Sequence, residues 1–182
     1  LLRVGATAMV TQLAYLFLVA LVSIQRLLEL VISRHHELLL RAKGAIEHGR
    51  LHYPAMVALH VAFLVACPLE VVTMRRPFHL WLAVPMMLSL LLAQGVRYWS
   101  ITTLGERWTV RVFELPGAPL VTGGPYRFLH HPNYVAVVIE IVALPMVHTA
   151  WLTALVFTAL NALMLVIRIR SEEQALGRRA AA

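Results

Sequence analysis

The feature that most constrains this chain is a series of five apolar segments, at about residues 10–32, 54–72, 80–96, 134–146 and 150–170. At ~1.5 Å rise per residue, about 20 helical residues cross the ~30 Å hydrocarbon core of a bilayer. The first segment has 23 residues and the second 19. Within lipid, backbone polar groups must be satisfied inside the segment itself, so such runs are expected to be helices. The expected fold is an all-α integral membrane protein of about five transmembrane helices, forming one membrane domain over residues 1–182.

Composition and charge narrow this further. Hydrophobic residues make up 60% of the chain and charged residues 14%, with a mean hydropathy of +0.75. Soluble domains average roughly 45–50% apolar and about 25% charged. The net charge is +7; 15 of the 16 basic residues are Arg, and Asp is absent. These residues sit between apolar runs, as membrane flanks do. No basic helix or aromatic-basic surface stands apart from those runs, so nucleic acid is not an expected partner. Cys67, the single cysteine, excludes an intrachain disulfide and speaks against a thiolate metal site. The first apolar stretch is too long for a secretory h-region and is expected to be a retained helix.

Pro54 suits a helix start. Only Pro145-Met146-Val147-His148-Thr149 separates the last two segments, which predicts a tight helical hairpin. The fourth segment, 13 residues long, is expected to hold its depth by packing on the fifth, where Ala154, Ala159, Asn161 and Ala162 offer close contacts. Twelve basic residues lie in the first loop, the third loop and the C-terminal end, against Arg3, Arg75 and Arg76 on the opposite side. That bias predicts the N-terminus outside and the C-terminus in the cytoplasm. The longest polar stretch, about residues 102–133, then faces the cytoplasm, and its strand-like alternation is confined to residues 109–115. A loop of that length in a compact protein is a functional candidate.

Three polar groups converge on that side. The first spans residues 123–134. Glycines such as Gly124 allow close backbone approach to a ligand. Arg127, His130 and His131 offer N–H donors to a carboxylate, and Pro132 sits in the first turn of a helix whose N-terminus favours negative charge. An interfacial anchor at the headgroups would use the same residues. The second is Glu140, deep in the fourth segment, where an ionisable group needs a wet cavity or a partner such as Arg168 or Arg97. The third is Arg168 with Glu172 four residues on, sharing a helix face, followed by Glu173. A snorkelling cap with a surface ion pair would look alike. Gln25, Arg26 and Glu29 in the first segment, and Gln94 and Arg97 in the third, suggest interhelical polar contacts. His52 and His60 share a face but lack an acid, which makes a poor metal site. His35, His36 and His48 read as solvated loop residues. The sequence has no phosphate loop, dinucleotide fingerprint or Ser-centred nucleophile elbow.

The run Gly124-Pro125-Tyr126-Arg127-x-x-His130-His131-Pro132-Asn133-Tyr134 resembles the GPYRxxRHPxY signature of the isoprenylcysteine carboxyl methyltransferase family. Arg168-Ile169-Arg170-Ser171-Glu172-Glu173-x-x-Leu176 is similar to that family's RxxxEExxL close, and Arg97 through Leu104-Gly105-x-x-Trp108 to its RxxxxxxLGxxW segment. The resemblance covers residues 94–176. It implies S-adenosylmethionine as methyl donor, with S-adenosylhomocysteine as product. It also implies a cytoplasmic-side cofactor pocket made by the last two helices and the preceding loop, and a lipophilic small-molecule substrate arriving sideways through the membrane lipids. Carried over, Gly124, Tyr126, His130, His131, Pro132 and Tyr134 would build the cofactor pocket. Glu140 and Glu173 are further cofactor-binding positions, and Arg168 and Glu172 are the catalytic pair. The donor's carboxylate suits His and Arg, and its ammonium suits Glu. Arg168 would hold an acceptor oxyanion, and Glu172 would serve as base for an enol or phenol.

Departures refine the expectation. His130 stands where the family has Arg, and Ala136 where many members have Gly. The residues after Glu173 lack the aromatic FGxxYxxY pattern of eukaryotic prenylcysteine enzymes, which speaks against a prenylated-protein substrate. The runs Gln25-Arg26-Leu27-Leu28-Glu29-Leu30 and Gly44-Ala45-Ile46-Glu47, with His52-Tyr53-Pro54, are similar to the bacterial subgroup that accompanies type III polyketide synthases. That subgroup is associated with O-methylation of alkylpyrones or alkylresorcinols, and it implies a bacterial inner membrane. Three alternatives stay open. A phospholipid N-methyltransferase would need acids for an amine headgroup. An NADPH-dependent membrane steroid or enone reductase has a similar HPNY segment but continues with Gly-Glu, where this chain has Val135-Ala136. A helical membrane subunit would leave Glu140 and the polar loop unexplained.

Overall fold

Apolar runs extend as helices until a breaker stops them, and here the breakers lie beyond the hydrophobic boundaries. The computed structural model describes residues 2–175 and 177, with side chains from Thr7. The helices are α1 (Leu2–Ala42), α2 (Tyr53–Thr73), α3 (Leu80–Leu104), α4 (Pro132–Met146) and α5 (Trp151–Ala175). Four stretches are long and apolar enough to cross a bilayer: Thr7–Ala42, Arg50–Thr73, Leu80–Arg107 and Trp151–Ala175. α4 is a shorter apolar helix of 15 residues, about 22 Å long. The protein is an integral membrane protein.

Three expectations are corrected. First, α1 has 41 residues, about twice what a bilayer needs, and runs well past residue 32. Residues 33–42 contain no Gly or Pro, and the chain turns only at Gly44, which adopts φ 83°. His35 and His36 therefore lie on a helix rather than in a loop. Second, α3 continues to Leu104 and ends at Gly105, which has φ 53°. Third, the described residues are not purely helical. β1 (Ile46–His48) and β2 (Val112–Glu114) form an antiparallel ribbon, with Glu47 opposite Phe113. His48 belongs to β1 and lies 2.9 Å from Glu114. Strands of three residues are too short to leave a clear alternation in sequence.

The helices bury one stripe each and leave the rest apolar and exposed. Phe63, Cys67 and Val71 of α2 pack with Ile141 and Leu144 of α4 and with Tyr15 and Val19 of α1. Phe17 and Val31, Leu91 and Leu92, and Leu155 and Leu163 face outward, as residues in contact with acyl chains would. Ala136 is fully buried on α4, so the methyl group that replaces the family's usual Gly is accommodated by close packing.

The end of the bundle away from the polar loop is closed by Glu70 of α2. Its carboxylate accepts bonds from the Leu152 amide at 3.2 Å, and from the Thr153 amide and hydroxyl at 2.6 Å each. It thus caps the first turn of α5 from a neighbouring helix. Arg76 pairs with Glu70 at 2.7 Å and lies 4.8 Å from the Trp151 ring. This gives the dissenting basic residue on that side a structural partner. Glu70→Ala strands two amides and a guanidinium. It is expected to cost about 2–4 kcal/mol, more than Arg76→Ala, in thermal unfolding followed in detergent.

Candidate active site

Pro132 opens α4, where its fixed φ and missing N–H are tolerated. This places His131 just outside the helix and Tyr134 within its first turn. Their rings stack with centroids 5.3 Å apart and planes at 15°. From α5, Arg168 and Glu172 project on one face. The Tyr134 hydroxyl donates to Glu172 Oε2 at 2.5 Å, and Arg168 Nε donates to that hydroxyl oxygen at 3.4 Å. Arg168 Nη2 donates to the Val110 carbonyl at 2.7 Å, and Nη1 meets Met56 Sδ. Arg168 is buried, and among the described residues its hydrogen-bond partners are all neutral.

His131 completes the group. Its Nδ1 lies 3.5 Å from Glu172 Oε1, and its Nε2 lies 3.4 Å from Glu173 Oε1. The Glu172 carboxylate beside it, helped by Glu173, raises its pKa above the usual imidazole value. Burial, with the Glu172 charge adding, pushes the Tyr126 phenol well above its ordinary value.

These side chains share a cavity of about 750 Å³, with Tyr126, His130, His131, Pro132, Tyr134, Arg168 and Glu172 on its wall. Three other candidates stand off the wall. Gly124, at φ 55°, lets its turn seat on α3, since a Cβ there would overlap the Thr103 side chain. Glu173 sits behind His131. Glu140 is ion-paired with Arg97 at 2.5 Å and with Arg26 at 3.0 Å; Arg168, the other expected partner, is engaged elsewhere.

Sequence reasoning missed the residues that support this site from a distance. Ser33 Oγ accepts the Val110 amide at 2.9 Å, and His36 Nδ1 lies 2.8 Å from the Trp108 carbonyl. Glu47 of β1 receives Arg111 at 2.5 Å and Arg50 at 3.0 Å, and also pairs with Arg41. His60, set aside as half of a weak metal pair, lines the cavity. The only local signal was the helix-forming character of residues 33–42, which carries α1 up to the polar loop.

Membrane-crossing helices that enclose a His–Tyr–Glu–Arg chamber at one end define a membrane-embedded enzyme. A model of the isoprenylcysteine carboxyl methyltransferase (ICMT) family matches residues 83–178, over half of the chain. The chain is 37% identical over 160 residues to the uncharacterized protein YpbQ of Bacillus subtilis (strain 168), covering 87% of this chain and 94% of that protein. It is 32% identical over 152 residues to an uncharacterized protein of Haemophilus influenzae, covering 83% and 88% respectively. The chain belongs to the ICMT family and is a membrane methyltransferase. Methyltransferases of this family use S-adenosylmethionine.

The raised His131 value carries a pH signature. A pKa raised on folding contributes stability that is complete below the unfolded value of about 6.5 and is lost as pH rises through the higher folded value. The gap in melting temperature between wild type and His131→Ala is therefore expected to be largest near pH ~6 and to shrink toward pH ~9. A gap that widens with pH would contradict this pairing.

Proposed function

We propose that the chain transfers a methyl group from S-adenosylmethionine to a carboxylate, enol or phenol oxygen of a lipophilic acceptor. The observation that carries this reading is Arg168: a buried guanidinium with only neutral partners, next to a carboxylate, in a cavity that continues between apolar helix faces. A buried guanidinium whose hydrogen-bond partners are all neutral is an open position for an oxyanion.

The chain's donor set fits the cofactor. His130 and His131 can donate to its carboxylate, with Glu173 behind His131. His131 Nδ1 is buried without a well-formed hydrogen bond among the described residues. The cavity volume of about 750 Å³ falls in the range of ligand pockets. When bound, S-adenosylmethionine supplies an electrophilic methyl on a sulfonium sulfur. Arg168 then holds the acceptor oxygen and lowers the cost of its negative charge, while Glu172 takes the proton of an enol or phenol. Tyr134, bridging the two, fixes their separation. Apolar walls exclude water and confine the reactants, which is most of what a protein contributes when the cofactor carries the reactive group.

The acceptor we favour is a small alkylated molecule, an alkylpyrone, an alkylresorcinol or an isoprenoid, reaching the cavity through the bilayer. Leu27, Val61 and Val65 line the cavity and remain more than half exposed, so this end is not sealed by packing. The basic bias supports a bacterial inner-membrane protein with the N-terminus outside and the site on the cytoplasmic side. In this reading the whole chain is one membrane domain, and α4 with α5 forms a hairpin that makes α4 the fifth crossing element.

Calorimetric titration of the detergent-solubilised protein with S-adenosylhomocysteine should show saturable binding, and titration with NADPH should show none. Binding of NADPH alone would move the assignment to reductase chemistry. Arg168→Ala is expected to slow methyl transfer about 100-fold while leaving S-adenosylhomocysteine affinity nearly unchanged. Parallel loss of both would remove Arg168 from its acceptor role.

A further inference from the structure

The cavity does not stop at Arg168. Along α5 it reaches Asn161, about 10 Å deeper into the bundle. Its wall there includes Arg26 and Glu29 of α1, Arg97 of α3, Asn133 of α4 and His60 of α2. None of them has a part in the methyl transfer proposed for Arg168 and Glu172.

This deep cluster leaves donors unpartnered although Glu29 pairs with Arg26 and lies 3.8 Å from Arg97, and Asn133 Oδ1 accepts from Arg97 at 3.4 Å. Glu140 Oε2 already accepts from both guanidinia. Gln94 Oε1 accepts from Gln25 at 2.6 Å and from Arg26 at 3.4 Å. Arg26 Nε, Arg97 Nε and Gln94 Nε2 are buried and have no hydrogen-bond acceptor among the described residues. Such donors are rarely left unmade in a buried site. His60 adds a complementary group. Its Nδ1 lies 2.9 Å from the Met56 carbonyl, which can only accept, so Nδ1 carries the proton and Nε2 is a free lone pair. Asn161 Oδ1 is likewise buried and unpartnered among the described residues.

We propose that this cluster is a second subsite, which recognises another oxygen on the polar head of the methyl acceptor. Arg26 and Arg97 donate to that oxygen, and His60 Nε2 accepts its hydrogen where it is a hydroxyl. The oxygen to be methylated lies at Arg168. Met56 links the two positions: its sulfur meets Arg168, and its carbonyl holds His60 one turn, about 5–6 Å, deeper on α2. A six-membered ring carrying two oxygens, with a hydrogen bond of about 2.8 Å at each end, reaches about 10 Å, comparable to the rise between Arg168 and Asn161 along α5. The inference rests on the methyl-transfer reading and adds a selection rule: an acceptor with a single oxygen leaves the deep donors unpaired and binds poorly.

The test compares a 5-alkylresorcinol with the 3-alkylphenol of equal chain length, which lacks only the second hydroxyl. Affinities are measured calorimetrically on protein loaded with S-adenosylhomocysteine. Wild type should bind the diol about 100-fold more tightly. Arg26→Lys keeps a charge opposite Glu29 and Glu140 but loses the planar fork, so the preference should fall to about fivefold or less with S-adenosylhomocysteine affinity unchanged. Equal affinities in wild type, or no binding of the diol, overturn the proposal. A preference that survives in Arg26→Lys overturns it as well, since the deep donors then hold water alone. Should Arg26→Lys not fold, the wild-type comparison decides by itself. Absence of S-adenosylhomocysteine binding would instead sink the methyl-transfer reading and this subsite with it, and that result is distinguishable because it precedes any addition of acceptor.

Discussion

Glu140 accepts bonds from Arg97 at 2.5 Å and Arg26 at 3.0 Å, with Glu140 and Arg97 buried inside the bundle. A charge buried at that depth must be paired, and removing one partner of such a pair costs about 3–5 kcal/mol. The three residues come from α4, α3 and α1, so the pairing tethers three helices at one level. It matters most for α4, whose 15 residues are too few to fix its position by length. With Glu140 pinned, the start of α4 is fixed about two turns away, and with it Pro132, His131 and Tyr134. The depth of the site is set by a carboxylate behind the cavity wall, held by two arginines that line it.

A second constraint comes from outside the hydrocarbon. α1 extends well beyond bilayer length, and this overhang catches the polar loop through Ser33 on the Val110 amide and His36 on the Trp108 carbonyl. Val110 then offers its own carbonyl to Arg168. The cation proposed to meet the acceptor is therefore aimed by the loop, and the loop is aimed by the first helix. Glu47 reinforces this from β1 by gathering arginines from α1, from the turn before α2 and from the loop. Removing part of the desolvated loop's hydrogen bonds would release Arg168 rather than simply loosen a surface segment.

How much of this was legible depends on the range of the interaction. Hydrophobic runs read directly as helices, because periodic burial and length are local properties. Their ends did not, because α1 and α3 stop at glycines, not where apolarity stops. The group of Tyr126, His131, Tyr134, Arg168 and Glu172 could be picked out because two short motifs carry all five residues. Gly124, read as a ligand-side glycine, lies off the cavity wall and seats a turn against Thr103. The partner of Glu140 was narrowed to Arg97 or Arg168. Arg26 escaped that choice because its own motif also offered Glu29, and only the packing of α1 against α3 and α4 decides how one guanidinium divides between two carboxylates. The strand-like alternation at residues 109–115 marks β2, but its pairing with β1 and the Val110 contacts join residues more than 55 positions apart and have no local signature.

Why the chemistry should sit where it does follows from these constraints together. A helix about 22 Å long, pinned at its middle, cannot bring its first turn to the water surface on one side while its other end, buried with Val147 and His148, closes the bundle. The N-terminus of α4, with its partial positive charge, lies at a recess lined by Pro132, Asn133 and Tyr134. Something must cover that recess, and the loop between α3 and α4 does so, lending Trp108 and Val110 to the cavity wall. The recess is polar because a helix begins there and His131, Glu172 and Arg168 converge on it. Below that the wall is mixed, with Arg26, Glu29, Arg97, His60 and Asn161 beside Leu27, Val61, Leu64 and Val65. A charged chamber that opens between apolar helix faces is what the proposed reaction between a water-soluble methyl donor and a membrane-dissolved oxygen nucleophile would require, and the shortness of α4 makes room for it.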